Sequence, residues 1–172
     1  VARVAVTATE AEAATEAEVR VVAKGPLSNL EALMLYNNTI GDEGMIKFSE
    51  ACVGGAMASV TILGLHDNKI GDAGMSALAS ACANGALDNL RFLKLSDNQI
   101  GNLGMSALAT AVGSGALPAL KELLLSQNQI GDAGMTALAG AIARGAMAHC
   151  RELYLQGNQI GARGLEALSG AL

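Results

Sequence analysis

The sequence contains no tryptophan, only 2% aromatic and 16% charged residues, and its acidic residues outnumber its basic ones by sixteen to eleven. Because the net charge is -5 and no basic block occurs, we expect no attraction to nucleic acid or anionic lipid. Polar residues interrupt every apolar run before the roughly 20 residues that a membrane span requires, so no direct membrane insertion is expected. Three cysteines, an odd number, exclude a full disulfide framework. This cysteine usage and the lack of a signal-peptide pattern favour an intracellular location.

Residues for catalysis and metal binding are also scarce. The histidines are His66 and His149, and no cysteine or carboxylate recurs at a spacing that would complete a metal site with them. The sequence has no nucleophile elbow, phosphate-binding loop or dinucleotide fingerprint. Cys150 follows His149 directly, but adjacent side chains of an extended segment point to opposite faces, so they do not form a nucleophile and base pair. We therefore expect no enzyme activity, no cofactor and no metal.

What the sequence does contain is a thirty-residue repeat that recurs without insertion or deletion. Each copy opens with alternating leucines and continues with an alanine-rich stretch such as SALASACANGAL. The five copies begin LEALMLYNNTIGDEGM at Leu30, VTILGLHDNKIGDAGM at Val60, LRFLKLSDNQIGNLGM at Leu90, LKELLLSQNQIGDAGM at Leu120 and CRELYLQGNQIGARGL at Cys150. We therefore predict repeats at 30–59, 60–89, 90–119, 120–149 and 150–172, the last incomplete, after a degenerate first repeat or N-terminal cap at 1–29.

The two ends of the chain depart from this pattern. Val4 and Val6 predict an edge strand, and the segment 10–22, rich in alanine and glutamate, predicts a helix that Thr9 could cap. Leu172 falls in the buried column in mid-repeat, and no polar capping unit follows it. Because the first residue, Val1, is also not an initiator methionine, we expect a piece of a longer protein or a partner that covers this end.

Each repeat is predicted to form one strand, one turn and one helix. Leucines such as Leu63 and Leu65 alternate with variable residues, which indicates a strand with one buried face. The apolar positions of the next helix, such as Met75 and Leu78, lie three or four residues apart and predict one buried stripe. A glycine such as Gly85 is expected to end the helix in the left-handed conformation.

The residues at the helix starts predict how each helix is capped. A side-chain oxygen at the helix start is predicted to cap the free amides of its own helix, except in the last repeat, where Ala162 offers none. The predicted capping residues are Asp42, Asp72, Asn102 and Asp132.

Small, uncharged residues occupy the outer helix positions that we expect to be exposed. Examples are Ser76, Ala77, Ser80, Ala81, Ala107, Thr110, Ala137, Gly140 and Ala141.

No single repeat can bury its apolar face, so the repeats must stack. Because neighbouring strands lie about 4.8 Å apart and neighbouring helices about 8–10 Å apart, the stack must curve, with the strands on the inner face. One asparagine per repeat falls where the strand ends and the backbone loses its sheet partners, so a buried asparagine ladder is predicted to satisfy these groups. The ladder residues are Asn38, Asn68, Asn98, Asn128 and Asn158.

The pattern L-x-x-L-x-L-x-x-N-x-I resembles the leucine-rich repeat signature, and all five copies keep its asparagine and the Ile-Gly pair, although Val60 and Cys150 replace the first leucine in two of them. The long helical second half of each copy resembles the ribonuclease inhibitor-like subtype. The resemblance covers about residues 30–172. It implies an α/β leucine-rich repeat solenoid, a curved horseshoe segment with parallel strands on the concave face and helices on the convex face.

The residues between the buried leucines project from the inner face, and three of the chain's four aromatic residues fall among them. Strands favour aromatic residues in any case, but an exposed apolar strip also usually marks a contact surface. We predict that the concave face binds a partner protein, with charged side chains setting the orientation. The candidate residues are Met34, Tyr36, Ile62, His66, Phe92, Lys94, Asp97, Glu122, Leu124, Glu152 and Tyr154.

Two other functions remain open from the sequence. The small residues of the convex helices suit an accessory subunit that packs into a large multiprotein assembly through its helices and ends. A resemblance to Ran GTPase-activating proteins suggests a regulator of a GTPase or another enzyme, although the chain lacks their strongly acidic tail. The sequence identifies no partner for any of these functions.

Overall fold

The computed structural model describes residues 2–5 and 29–172. The strands in these residues form one parallel sheet, in which the spatial order follows the chain. They are β1 (Ala2–Ala5), β2 (Leu30–Met34), β3 (Ile62–Gly64), β4 (Phe92–Lys94), β5 (Glu122–Leu124) and β6 (Glu152–Tyr154). The strand β1 includes Val4, whereas Val6, Thr9 and the predicted helix 10–22 lie outside the described residues.

A helix follows each strand from β2 onward. The helices are α1 (Asp42–Ala51), α2 (Asp72–Ala83), α3 (Asn102–Gly113), α4 (Asp132–Ala143) and α5 (Ala162–Ala171), and a π-helical segment, Cys52–Ala56, continues α1. The sheet pairs residues thirty positions apart, as Leu33 with Leu63 and Leu63 with Leu93. Strands pack more closely than helices, so the stack curves with its strands on the concave face. This arrangement confirms the predicted α/β leucine-rich repeat solenoid.

The core fills the space between the sheet and the helices. Leu63 and Leu93 enter it from the strands and Met75 and Leu78 from a helix, and each is at most 1% exposed. In the described part of the chain, no helix has the length and apolar character to span a membrane.

The buried part of each helix is wider than the predicted single stripe. Ala81 and Ala141 were expected to be exposed, and this expectation is wrong, because both are buried. A Cβ atom placed on Gly113 of α3 would lie 3.6 Å from the Cβ of Ala141, so Ala141 faces the neighbouring helix. Alanine at these positions allows adjacent helices to pack closely. The small side chains of Ala81 and Ala141 are therefore explained by helix packing within this chain.

The last repeat is covered on one side only. Leu165 occupies the position at which earlier repeats place a buried methionine, such as Met135, yet it is 62% exposed. Leu172, which falls in the buried column of the repeat, is 92% exposed. Both are exposed because no later repeat of the described chain packs against them. A groove of about 510 Å³ lies at this end, between Met147, Leu168 and their neighbours.

An asparagine ladder joins consecutive repeats where the strands end. The Asn98 Nδ2 donates to the carbonyl oxygen of Leu65 at 3.0 Å and to that of Leu95 at 3.1 Å. Its Oδ1 accepts from the Ile70 backbone N–H at 2.9 Å, so one amide binds the backbone of two repeats. Asn68, Asn128 and Asn158 make the same three contacts, and Asn38 donates to the carbonyl oxygens of Leu35 and Tyr36.

A second ladder lies at the helix starts, where the predicted capping is wrong. The residue preceding each helix is a glycine, and no side chain of the same helix caps it. The Asp72 Oδ1 instead accepts from the backbone N–H groups of Gly101, at 2.7 Å, and Gly104, at 2.8 Å, in the following repeat. The same two contacts are made by Asp42, Asn102 and Asp132. Each residue lies inside the first turn of its own helix, so its side chain reaches the next helix instead.

Two sets of glycines, one at the helix starts and one at the helix ends, have a structural explanation. A Cβ atom on Gly104 would lie 2.8 Å from the Asp72 Oδ1, which leaves no room for a larger residue. The predicted left-handed helix ends are confirmed, since φ is +83° at Gly85 and +97° at Gly115. The glycines of the Gly104 column therefore serve the stacking of the repeats, whereas those of the Gly85 column end the helices.

Candidate functional site

The exposed face of the sheet carries two rows of side chains in register. The first row consists of Ala32, Ile62, Phe92, Glu122 and Glu152, and the second of Met34, Gly64, Lys94, Leu124 and Tyr154. The leucines between these positions point to the core, which places both rows on the opposite face of the sheet. We call these residues the first row and the second row.

In the first two repeats, part of this face is buried or covered by a neighbouring side chain. Ala32 is buried, and a Cβ atom on Gly64 would lie 2.8 Å from the Met34 Sδ. The Met34 side chain therefore lies over Gly64, in the space that a larger residue would occupy. Ile62 remains half-buried beside them.

Tyr36 and His66 stack just beyond the strands, with ring centroids 4.6 Å apart and an interplanar angle of 11°. The His66 Nδ1 is buried and has no hydrogen-bond partner among the described residues. Burial lowers the pKa of the His66 imidazole below its ordinary 6.5, and Lys94 adds to this effect, whereas Asp67 and Asp97 oppose it. His66 is therefore a neutral, partly apolar surface at pH 7.

The other end of the face is acidic. Glu122 and Glu152 occupy paired positions on neighbouring strands. The Tyr154 hydroxyl donates a hydrogen bond of 2.5 Å to the Glu152 Oε2. This bond raises the pKa of Tyr154, and the negative charges of Glu152 and Glu122 act in the same direction. The Tyr154 ring is 40% exposed beside these carboxylates.

The structure places the predicted aromatic residues on one face but not in contact with one another. Phe92 lies between Ile62 and Glu122 in its row, and Tyr154 is paired with Leu124. Tyr36 instead stacks on His66, as described above. The surface is therefore a mixed strip in which aliphatic residues separate the aromatic ones.

Asp97 lies apart from the two rows. It follows the strand with a positive φ of 56°, and its side chain is exposed at the rim of the face. Asp67 has the equivalent position one repeat earlier, with a φ of 55°, and sequence reasoning missed it. The shared column of Asp67 and Asp97 was the signal that could have identified it.

The described residues include no three-residue metal-ligand group, and their two buried cysteines are not activated. No group of three histidine, cysteine or acidic side chains in this part of the chain could hold a metal ion. Burial raises the pKa of the Cys52 and Cys82 thiols to about 12, so neither is an activated nucleophile. Burial also raises the pKa of Cys150, beside the exposed His149.

Comparison with known proteins yields one family and a distant structural likeness. The Leucine Rich repeat family matches residues 27–49, 56–79, 87–109, 117–139 and 147–169. Among solved structures, the chain is similar to an internalin (inlF) from Listeria monocytogenes str. 4b F2365, with 22% identity and a TM-score of 0.42. That match covers 83% of this chain and 46% of the internalin chain, so this chain spans less than half of that structure. No curated protein matches.

Proposed function

The chain belongs to the leucine-rich repeat family, and from that premise we propose that it is a non-catalytic module that binds a partner protein through its concave face. Domains of this family generally mediate protein–protein interaction, and their extended concave surfaces suit that role. The net charge of -5 favours a protein over nucleic acid as the partner.

The observation that carries this proposal is an uncovered sheet face with large apolar side chains. Leu93 and Leu123, on the core side of the sheet, are at most 1% exposed. On the opposite side, Phe92 and Leu124 are only half-buried and Tyr154 is exposed. Aromatic residues at such positions are frequent anchors of protein interfaces. Lys94, Asp97, Glu122 and Glu152 would set the orientation of the partner by charge.

The test compares partner recovery by three forms of the chain. Extract from the native source is passed over the parent, the F92A/Y154A variant and the L103A variant, and bound proteins are quantified by mass spectrometry. Leu103 is a matched control, because it is 74% exposed but lies on α3, on the convex side. We expect F92A/Y154A to lose a specific partner that L103A retains. Equal recovery by all three forms, with unchanged circular dichroism, would contradict the proposal.

We assign the repeats to the ribonuclease inhibitor-like subtype. The support is the thirty-residue pairing of the sheet and the 12-residue helix in each of three central repeats. The division into a degenerate first repeat or cap at 1–29 and five repeats at 30–172 remains part of this proposal.

The second candidate function is an accessory or scaffold subunit that packs through its convex helices and ends. The exposed Leu103, Val53 and Ile46 favour it, since all three lie on the helical side of the stack. The burial of Ala81 and Ala141 weakens it, because these residues serve the helices of this chain. In the recovery experiment, loss of a partner by L103A with retention by F92A/Y154A would favour this second function.

A further inference from the structure

The first row has a direction along the stack. Its Cα atoms pair consecutively across five strands in the order Ala32, Ile62, Phe92, Glu122, Glu152. Three apolar positions therefore come first and two carboxylates last. A uniformly apolar strip would accept a partner in either orientation, whereas this row distinguishes the two ends of whatever it binds.

The two carboxylates lack a cation of their own. Like charges at directly paired positions of neighbouring strands destabilise a sheet. The ion pair found among residues 29–172 joins Lys47 to Glu43 on α1, away from this face. Lys94 lies on the strand next to Glu122, but diagonally to it, and no ion pair forms between them. Glu122 and Glu152 therefore present a negative charge that is open to an external cation.

Neighbouring residues along the chain do not neutralise this charge. Lys121 and Arg151 directly precede the two glutamates, but neither forms an ion pair with them among the described residues. The Tyr154 hydroxyl bonds to Glu152, which holds an aromatic ring beside the carboxylates. An arginine or lysine bound there would gain both charge pairing and attraction to the ring face.

We propose that the partner presents a segment with apolar side chains at one end and two arginine or lysine residues at the other. Its apolar end lies over Ile62 and Phe92, and its basic end over Glu122 and Glu152. This assignment rests on the proposed function, since it concerns the same face. Three strand spacings separate Ile62 from Glu152, which is roughly 14 Å. The segment is therefore about 4 residues long if extended, or about 10 if helical.

The test uses a displayed library of random 16-residue peptides as the probe. Peptides that bind the full chain are kept, and those that also bind the F92A/Y154A variant are discarded, so the retained peptides need the concave face. We expect them to share apolar residues at one end and lysine or arginine at the other. Retained peptides without this basic end, or an empty selection, would overturn the inference.

Charge-reversal variants then test the direction. A synthetic peptide from the retained set should bind E122K/E152K at least tenfold more weakly than the parent. It should bind E50K/E166K normally, because that control makes the same change in net charge at exposed helix positions. The neutral E122Q/E152Q variant, which disturbs the fold less, should show an intermediate loss.

The outcomes separate the inference from the proposed function. If E122K/E152K and E50K/E166K bind the peptide equally, the inference fails, while dependence on Phe92 and Tyr154 leaves the proposed function standing. If native partners do not need Phe92 and Tyr154 in the recovery experiment, the proposed function fails. A concentration-dependent dimer of the free chain that F92A/Y154A dissociates would assign the face to a second copy and overturn the inference.

Discussion

The Asp72 carboxylate lies 2.8 Å from the backbone nitrogen of Gly104, in the following repeat, and accepts its hydrogen bond. The free amides at the start of one helix are therefore satisfied by the side chain of the helix before it. An anionic acceptor at a helix N-terminus also interacts favourably with the helix dipole. This contact links stability to the stacking of repeats, because an isolated repeat could not make it.

Replacing Asp72 with alanine should destabilise the chain by roughly 1–3 kcal/mol, since the amides of Gly101 and Gly104 would lose their acceptor. D72N should lose less, because Asn102 already makes the equivalent two bonds through its amide oxygen. Urea unfolding followed by circular dichroism measures both variants. Equal losses for D72A and D72N would show that the hydrogen bonds are not the source of the effect.

Replacing Gly104 with alanine should cost roughly 1–3 kcal/mol, because the new methyl group would overpack a filled site. Its Cβ would lie 2.8 Å from the Asp72 Oδ1 and 2.9 Å from the Met75 Cβ. Gly170 is the matched control, since it lies in α5 and a Cβ there meets nothing within 4 Å. G170A should therefore stabilise the chain by up to about 1 kcal/mol. A G104A midpoint at or above that of the parent would contradict the steric argument.

Replacing Asn98 with alanine should cost roughly 1–3 kcal/mol, because buried backbone groups of two repeats would be left unpaired. N158A should cost less, since Asn158 belongs to the last repeat and is only partly buried. Thermal unfolding of both variants gives the comparison, and peptide binding by N98A should match the parent at temperatures where it remains folded. A melting temperature of N98A equal to that of the parent would exclude the ladder as a source of stability.

Stability should fall on acidification because of His66. Its pKa in the folded chain lies below the ordinary 6.5, so the unfolded chain binds a proton more readily. The contribution of neutral His66 to the free energy of unfolding is complete above pH 6.5. It is lost as the pH falls through 6.5 toward the lowered pKa. Urea midpoints between about pH 7.5 and 5.5 should therefore fall less in H66Q than in the parent. Identical slopes for H66Q and the parent would refute this account.

The fold could be predicted because its determinants are local and repeated. Alternating leucines such as Leu93 and Leu95 fix one buried strand face, and helical spacing fixes the side of each helix that meets the core. The lateral contacts were not predictable from periodicity. Ala81 and Ala141 looked exposed because the pattern within one helix does not reveal the neighbouring helices. The acceptor role of Asp72 was missed for the same reason, since its donors are about thirty residues away in sequence.

The site was predictable only as a set of positions. Parity along the strands placed Phe92, Glu122 and Tyr154 on one face, which the sheet register agrees with. Their mutual arrangement depends on which repeats are neighbours and on local side-chain geometry. The thirty-residue register makes Tyr36 and His66 neighbours, but it does not reveal that their rings stack.

Because the contacts between consecutive repeats at 30–172 have the same spacing and equivalent donors and acceptors, one whole repeat is interchangeable with another. Excision of residues 90–119 would bring Asp72 next to Gly131 and Gly134, at positions equivalent to its present partners. The shortened arc would keep its framework but set Ile62 directly beside Glu122. Gain or loss of one repeat can thus change the order of side chains on the concave face without changing the hydrogen bonds that join the repeats.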